Sequence, residues 1–353
     1  MKVNLMGLFA EEIAALIKAQ GLESYRAKQI AEWIYRGNVA DFSAMTNLSK
    51  AQRELLNEHY YIGQPTEQAR QESQDGKTSK YLLVMEDGQA IETVWMRQPY
   101  GNSICVSTQA GCAMGCQFCA STIGGLVRNL AAGEILAQVL FVNRLAKEYG
   151  GNVNTIVIMG SGEPLANYEE VLRFIKLCHA DYSLNISYRS ITLSTSGVVP
   201  GIERLAEEKI PINLSISLHA PNNEVRSAIM PVNRRYPIES VLEAAGQYAR
   251  STGRRVTYEY TLIKDVNDQI EHARELAGRI KGQLANVNLI PVNPVPERGL
   301  LRPRPETIEK FTGELKRQRL NVTVRREMGT DIQAACGQLR NKSILGQNRA
   351  GEN

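Results

Sequence analysis

Three cysteines stand close together in the sequence, Cys112, Cys116 and Cys119, in the spacing C-x3-C-x2-C. Thiolates are the usual protein ligands of iron–sulfur clusters, and three of them leave one iron of a [4Fe–4S] cube open to bind a substrate or cofactor. A structural zinc site is the alternative, but it normally needs four protein ligands, and none of the four histidines lies nearby in sequence. The spacing predicts an iron–sulfur centre, with zinc as the less favoured interpretation.

The whole chain of 353 residues holds six cysteines, and four of them fall within fifteen residues. This crowding does not resemble a secreted disulfide framework and indicates metal or redox chemistry. Glu11 and Glu12 interrupt the stretch where a signal peptide would need apolar residues. No apolar run approaches the roughly 18 residues that a membrane span needs. We therefore expect a cytoplasmic protein.

Beyond residue 100 the pattern alternates between strands and helices. The predicted strands are Ile104–Thr108, Thr155–Met159, Ile191–Thr195, Ile212–Leu218, Val256–Leu262 and Val287–Ile290. The predicted helices are Gly133–Tyr149, Tyr168–Cys178, Gly201–Glu208, Pro237–Ser251, Asp268–Lys281 and Pro305–Gln318. Six such units predict an α/β fold with a parallel sheet, either doubly wound or closed into a partial barrel.

Polar or glycine-rich segments follow five of the six predicted strands. They are Gly111–Cys119, Met159–Asn167, Ser194–Gly197, Ser217–Pro221 and Pro291–Pro294. In parallel α/β folds the working residues lie just beyond the carboxyl ends of the strands. The placement therefore predicts one active site that all five segments face.

The first 60 or so residues have helical periodicity, and a polar junction, 64–80, separates them from the main domain. Alternating runs at Lys80–Met85 and Ala90–Met96 predict a hairpin around Asp87–Gly88. The predicted domains are a small helical accessory domain at 1–75, a core with its preceding hairpin at 76–340, and a tail at 341–353.

Positive charge gathers in the C-terminal half. The chain has a net charge of +4, yet residues 234–340 hold 19 Lys and Arg against 13 Asp and Glu. Basic pairs recur there, at Arg234–Arg235, Arg254–Arg255, Lys316–Arg317 and Arg325–Arg326. Such a surface could face phosphates or could be ordinary solvated helix ends and loops, and charge alone does not decide between them.

The cysteine motif, with Phe118 before its last cysteine, resembles the signature of the radical S-adenosylmethionine (SAM) superfamily. The segment GSGEP at 160–164 resembles the glycine-rich SAM-binding motif of that superfamily. The resemblance implies a partial (βα)6 TIM-like barrel in which SAM chelates the open iron. It further implies that Gly162 and Glu163 hold the amino group of SAM.

A narrower resemblance covers nearly the whole chain. The segments ICVSTQAGC, MGSGEPLANY, SLHAPNNEVRSAIMPVNRRYPI, LIPVNPV and DIQAACGQL resemble the RlmN/Cfr class of RNA adenine methyltransferases. Pro164 and the N-terminal helices fit the RlmN branch better, whereas Ser161 departs from one common form of both branches. The RlmN branch implies methylation of C2 of adenosine 2503 in 23S rRNA and of adenosine 37 in some tRNAs. Cfr-type methylation of C8 and a non-catalytic, zinc-stabilised RNA-binding protein are the alternatives.

The resemblance also assigns roles outside the cluster. Cys336 corresponds to the cysteine that takes a methyl group from one SAM, and Cys105 to the cysteine that resolves the covalent intermediate by forming a disulfide. Glu92 corresponds to the proton acceptor, and its apolar neighbours would raise its proton affinity. The alternatives are a buried small residue, an inward-facing strand residue and a solvent-facing glutamate, respectively. Cys178 matches nothing and is interpreted as structural.

The implied cofactors are one [4Fe–4S] cluster per chain and SAM, used twice per turnover because C2 of adenine is not nucleophilic. The implied SAM contacts are Gly162, Glu163, Ser194, Ser217, Leu218, His219 and Asn293. The implied partners are 23S rRNA, tRNA and a low-potential electron donor such as flavodoxin or ferredoxin. A monomer is expected, with the basic half facing a flipped adenosine of the RNA.

Overall fold

The computed structural model of the protein describes residues 2–325 and 328–339. Its α-helices are α1 (Ala10–Lys18), α2 (Arg26–Tyr35), α3 (Lys50–His59), α4 (Ala132–Glu148), α5 (Tyr168–His179), α6 (Val199–Glu207), α7 (Asn223–Ile229), α8 (Ile238–Thr252), α9 (Ile270–Ile280) and α10 (Pro305–Arg317). None of these described helices is long and apolar enough to span a membrane.

Within the described residues, the strands form one large sheet and two small ones. They are β1 (Val3–Asn4), β2 (Tyr60–Tyr61), β3 (Thr66–Glu72), β4 (Thr78–Val84), β5 (Ala90–Gln98), β6 (Gly101–Cys105), β7 (Gln109–Gly111), β8 (Leu126–Asn129), β9 (Val153–Ile158), β10 (Ile191–Thr195), β11 (Asn213–Ser217), β12 (Val256–Leu262), β13 (Ala285–Pro291) and β14 (Val322–Val324). The large sheet runs β14-β13-β12-β11-β10-β9-β6-β5-β4-β3, parallel from β14 to β6 and antiparallel from β6 to β3.

The predicted α/β class, the six predicted strands and the hairpin around Asp87–Gly88 are confirmed. Several short elements among the described residues were not predicted, namely β1, β2, β3, β7, β8, β14 and α7. The strand β14 has three residues, too few to show a period, and the helix α7 has seven. The strand β3 lies inside the segment that was interpreted as a polar junction. All seven of its side chains are exposed, so no alternation between buried and exposed residues marks it in the sequence. It is a strand because it pairs with β4. The domain boundary at residue 75 stays a prediction.

The parallel strands divide their side chains sharply between two faces. Outward side chains such as Leu214, Tyr258 and Leu289 are buried beneath the helices. The inner face is polar instead, and its side chains include Thr192, Ser194, Asn213, Ser215, Ser217, Thr257, Glu259, Thr261, Asn286 and Asn288. Because the strands alternate with a period of two, one polar face is continuous across four strands. At the carboxyl ends of the strands, this face bounds the cluster cavity described below.

The N-terminal helices pack onto the core through a close backbone approach between Gly7 and Gly133. A Cβ atom on Gly7 would lie 2.5 Å from the nitrogen of Gly133, so both positions require glycine. Tyr35 seals this contact: its hydroxyl accepts a hydrogen bond from the nitrogen of Gly7 at 3.1 Å and donates one to the carbonyl of Leu8 at 2.6 Å. The accessory helices are therefore seated firmly on the start of α4.

Candidate active site

The three predicted cluster cysteines lie on the loop between β7 and β8. Cys112 begins the loop, and its nitrogen donates to the carbonyl of Gly125 at 2.9 Å. Gly115 has a φ of +70°, which turns the chain back so that Cys116 and Cys119 follow on the same side. All three cysteines line one cavity, together with residues from the carboxyl ends of the parallel strands. We call it the cluster cavity.

The chemistry of these thiols fits an iron–sulfur cluster, and all three cysteines line the same cavity. Burial raises the pKa of Cys112 to about 12 and that of Cys116 well above its ordinary value. Buried thiols around a shared cavity fit a group that brings several iron cations to them.

The turn after β9 carries Gly162 and Glu163 into the cluster cavity. Gly162 has a φ of +112°, and a Cβ atom there would lie 2.7 Å from the Cβ atom of Gln109. The Glu163 carboxylate accepts hydrogen bonds from the Thr195 hydroxyl and the Ser196 nitrogen, both at 2.7 Å. Burial nevertheless raises the pKa of Glu163. This carboxylate joins the ends of β9 and β10 and still lines the cavity.

Of the remaining predicted SAM contacts, Ser194, Ser217, His219 and Asn293 line the cluster cavity. Leu218 does not: its side chain is fully buried in the hydrophobic core. Only its backbone is near the site, and the nitrogen donates to the carbonyl of Glu259 at 3.1 Å. The strand ends therefore bring together every predicted SAM contact except this one side chain.

His219 is held as a neutral imidazole. Its Nδ1 accepts a hydrogen bond from the nitrogen of Thr261 at 2.9 Å, which leaves the ring proton on Nε2. Burial, reinforced by the nearby Arg226 cation, lowers the pKa of His219 to about 3. The ring packs edge-on against Phe118, with centroids 4.7 Å apart, and so contacts the residue that precedes Cys119.

Two buried oxygen atoms at the cluster cavity have no hydrogen-bond partner within the described chain, Ser196 Oγ and Asn293 Oδ1. Unsatisfied buried polar atoms are costly, and a ligand that carries an ammonium or hydroxyl group would satisfy them. The polar lining therefore fits the amino acid and ribose groups of SAM. Ser196 was not predicted, although it stands beside Ser194 in a segment that was.

Cys105 and Cys336 meet in a second cavity, which we call the thiol cavity. It adjoins the cluster cavity, since Ile290, Asn293 and Cys336 line both. Burial, with a smaller effect from Cys336, raises the pKa of Cys105 to about 12. Both cysteines are free thiols, so the structure does not support the disulfide that was expected between them, and their pairing stays a prediction.

The segment that carries Cys336 is tied to the cluster loop and to the end of β13. The nitrogen of Ala120 donates to the carbonyl of Gly337 at 2.7 Å, and the Ser121 hydroxyl donates to the carbonyl of Leu339 at 2.6 Å. From the other side, Asn293 Nδ2 donates to the carbonyl of Cys336 at 3.0 Å. These bonds hold Cys336 between the two cavities.

Arg325 and Glu259 are functional candidates that sequence reasoning missed. Arg325 lines both the cluster cavity and the thiol cavity, and the charges of Cys336, Glu259 and Cys105 all raise its pKa. Glu259 is buried and accepts a hydrogen bond from Asn288 at 2.8 Å. The alternating segment TYEYTL could have indicated Glu259, because it places the carboxylate among inward-facing threonines. Arg325 had been grouped with the basic surface, but it lies inside the site.

Glu92 lies outside both cavities. It is buried and forms an ion pair with Lys80 at 3.1 Å, and Lys80 also donates to the carbonyl of Gln333 at 3.2 Å. The sequence placed Glu92 among apolar neighbours, whereas the structure places the Lys80 ammonium beside its carboxylate. Glu92 shares its sheet face with Val94, which pairs with Cys105 and lines the thiol cavity.

Cys178, which was interpreted as structural, is fully buried in the hydrophobic core.

Family models match two parts of the chain. Residues 106–277 match the radical SAM superfamily, and residues 3–62 match the ribosomal RNA large subunit methyltransferase N-terminal domain. A probable dual-specificity RNA methyltransferase RlmN from Desulforamulus reducens is 52% identical over 97% of this chain and 97% of its own length. A second RlmN, from Bacillus licheniformis, is 53% identical over 94% of this chain and 92% of its own. The chain belongs to the RlmN family of radical SAM RNA methyltransferases.

A solved structure agrees with this assignment. A radical SAM methyltransferase from Sphaerobacter thermophilus superposes with a TM-score of 0.93 at 45% identity, covering 96% of this chain and 99% of that one. Membership of the RlmN family identifies the chain as an enzyme that uses SAM and an iron–sulfur cluster and acts on RNA. The alternative of a non-catalytic zinc protein is thereby set aside.

Proposed function

We propose that this enzyme methylates C2 of adenosine 2503 in 23S rRNA and of adenosine 37 in some tRNAs, through a methyl group carried on Cys336. The observation that supports this most directly is the position of Cys336. It lines the cluster cavity and also the thiol cavity that holds Cys105. A methyl carrier that must face a radical source and then a resolving thiol needs both neighbours.

The first task of the chain is to load the carrier. The Cys336 thiol loses its proton and its sulfur attacks the methyl carbon of SAM, so that S-adenosylhomocysteine leaves with the electron pair of the broken bond. Asn293 supports this step, since it fixes the backbone of Cys336 and lines the same cavity. Arg325 stabilises negative charge on the sulfur as the proton leaves.

The second task is to release the product. After the carrier carbon has bonded to the base, Glu92 removes the C2 proton and the unpaired electron of the adduct would return to the oxidised cluster site. The face that Glu92 shares with Val94 leads towards the thiol cavity. The Cys105 thiolate then attacks the Cys336 sulfur. The new disulfide forms as the sulfur–carbon bond breaks, and the released carbon takes up a proton to become methyl. The two cysteines adjoin the same cavity, which supports this exchange.

We assign one [4Fe–4S] cluster per chain to Cys112, Cys116 and Cys119, with SAM held by the strand ends around Glu163. The cluster, when bound, supplies the electron that converts SAM to a 5′-deoxyadenosyl radical. A low-potential donor such as flavodoxin or ferredoxin would deliver that electron to a monomeric, cytoplasmic enzyme. The exposed Arg234, Arg235 and Arg302 would contact RNA phosphates, with the accessory domain as a second RNA contact.

The site of methylation is tested by mass spectrometry of nucleosides from a strain that lacks the gene, with and without the restored enzyme. We expect 2-methyladenosine in 23S rRNA and in a subset of tRNAs only when the enzyme is present. An 8-methyladenosine product would overturn the proposal in favour of C8 chemistry. Protein that contains one zinc and no iron after anaerobic reconstitution would contradict the cofactor assignment.

The roles of the two thiols are tested with cysteine variants. Cys336→Ala should abolish RNA methylation while it keeps the iron and sulfide content of the wild type. Cys105→Ala should instead accumulate a covalent protein–RNA adduct, visible on a denaturing gel. Cys178→Ala is the matched control, because Cys178 lies in the hydrophobic core away from both cavities. Free product at the normal yield from Cys105→Ala would contradict its resolving role.

A further inference from the structure

Arg226 is a fully buried cation, and no carboxylate among the described residues accepts a hydrogen bond from it. It lies on α7, and its hydrogen bonds all go to neutral acceptors. Its Nε donates to the carbonyl of Leu218 at 3.1 Å, and Nη2 donates to the carbonyl of Ser196 at 2.6 Å. Its Nη1 donates to Asn233 Oδ1 at 2.9 Å. The hydrogen-bonding capacity of the guanidinium is thus used, but its charge is not compensated.

The helix that carries Arg226 is joined to the cluster loop. The carbonyl of Ile229 accepts a hydrogen bond from the nitrogen of Gln117 at 2.9 Å, and Gln117 stands between two of the cluster cysteines. Ile229 and Met230 share an apolar cluster with Cys116. Little water reaches the region between Arg226 and the cluster loop, and a charge there acts through a medium of low dielectric constant.

The buried Glu163 carboxylate is linked to Arg226 only through the backbone of Ser196, so the charge that balances Arg226 is expected from the cofactor side. Burial lowers the pKa of Arg226 to about 10, and Cys116 is the one acidic group that opposes this shift. An uncompensated buried charge is strongly destabilising unless a charged partner arrives. A [4Fe–4S] cluster on three thiolates carries a net negative charge, which grows by one unit when the cluster is reduced.

We infer that Arg226 is the built-in counter-charge of the iron–sulfur cluster and raises its reduction potential, so that the electron enters more easily. The inference rests on the proposed placement of the cluster on Cys112, Cys116 and Cys119. Arg226 acts through the field and touches neither substrate nor cofactor, so it is a positioning and tuning residue. A cation favours the more negative, reduced form of the cluster.

The test is a redox titration of the reconstituted enzyme without RNA, followed by the electron paramagnetic resonance signal of the reduced cluster. At the potential where half of the wild-type clusters are reduced, Arg226→Met should lower the ratio of reduced to oxidised cluster by about tenfold. Arg226→Lys keeps the charge with fewer hydrogen bonds and should stay near the wild type. Asn233→Ala removes one hydrogen bond from Arg226 and should also leave the ratio unchanged.

Arg298 provides a matched comparison, because it donates to the Thr122 hydroxyl at 2.6 Å beside the same loop but is half-exposed. Water and salt screen its charge, so Arg298→Met should change the ratio less. An equal fall in Arg226→Met, Arg226→Lys and Asn233→Ala would overturn the inference and leave Arg226 a purely structural clamp. If Arg226→Met does not fold, Arg226→Gln takes its place. Absence of iron from the wild type would refute the cluster placement instead.

Discussion

Asn293 contacts the proposed methyl carrier through one end of its side-chain amide, and the residue lines the cluster cavity. Its Nδ2 donates to the carbonyl of Cys336 at 3.0 Å, whereas Oδ1 has no partner among the described residues. The residue thus joins the position of Cys336 to the polar lining of the SAM site. Substitutions at Asn293 can separate its contact with Cys336 from its contribution to the SAM site.

Asn293→Ala removes both ends of this link, and Asn293→Asp keeps the oxygen but loses the donor. Loss of a hydrogen bond of about 1 kcal/mol corresponds to roughly a fivefold effect. We expect both variants to slow methylation of Cys336 by at least this factor, as measured by mass spectrometry of the protein. Only Asn293→Ala should also weaken SAM binding in equilibrium dialysis. Equal SAM affinities in the two variants would show that Oδ1 contacts no ligand.

The Lys80–Glu92 ion pair allows catalysis to be separated from stability. Removing one member of a buried pair costs about 3 kcal/mol, because the other charge is left without its counter-charge. Glu92→Gln and Lys80→Met should therefore each lower the free energy of unfolding, and the double variant should recover most of the loss. RNA methylation should survive in Lys80→Met and be lost in both variants that lack the carboxylate. Methylation by the double variant at the Lys80→Met rate would show that Glu92 is not the base.

His219 should make the enzyme sensitive to mild acid. Its pKa is lowered by burial to about 3 in the folded state, whereas the unfolded chain has the ordinary value of 6.5. Below 6.5 the unfolded state binds the extra proton, so the stability falls as the pH falls, by up to about 1.4 kcal/mol per pH unit. His219→Asn removes this term, and asparagine tolerates the φ of +56° found there.

Urea titrations of the two proteins at about pH 7 and about pH 5.5 measure the difference. We expect the wild type to lose on the order of 1 kcal/mol more than His219→Asn between these conditions. Parallel losses in the two proteins would mean that His219 takes up its proton without unfolding.

Gly162 is predicted to be irreplaceable by alanine. Its φ of +112° disfavours any side chain, and the added Cβ atom would lie 2.9 Å from the nitrogen of Gln109. We expect Gly162→Ala to lower the free energy of unfolding by about 2 kcal/mol and to weaken SAM binding. Gly124→Ala is the control, since no atom lies within 4 Å of its added Cβ. Similar losses in both variants would argue against a specific requirement at Gly162.

The part of the site that the sequence predicted depends on one topological rule. Parallel strands bring their carboxyl ends to one edge, so Ser194, Ser217 and Asn293 could be placed together before any contact was known. What remained hidden depends on register and on long-range packing. Lys80 is paired across the hairpin with Val94, which lies two residues from Glu92 on the same face of the sheet. The periodicity of the sequence does not reveal this register, so the ion pair between Lys80 and Glu92 could not be predicted.

Short elements were the other source of error. The helix α7 has seven residues and is held by the bonds of Arg226 to the ends of two strands, which local propensity does not reveal. Arg325 was assigned to a basic surface because a count of charged residues does not show where each side chain points. Its side chain turns inward beside Glu259, and a count of positive residues cannot distinguish the two outcomes.

Because the inner face of the sheet is polar, the stability of the fold and the binding of ligands depend on different residues. In each strand from β10 to β12 the residues that stabilise the sheet alternate with residues that line the cluster cavity, for example Ile216 with Ser217. Since the inner side chains contribute little to hydrophobic packing, exchanging them should alter ligand preference more than folding. Such a fold allows its specificity to change. New ligand preferences can arise through substitutions at the inner positions, while the outer positions between them keep the fold.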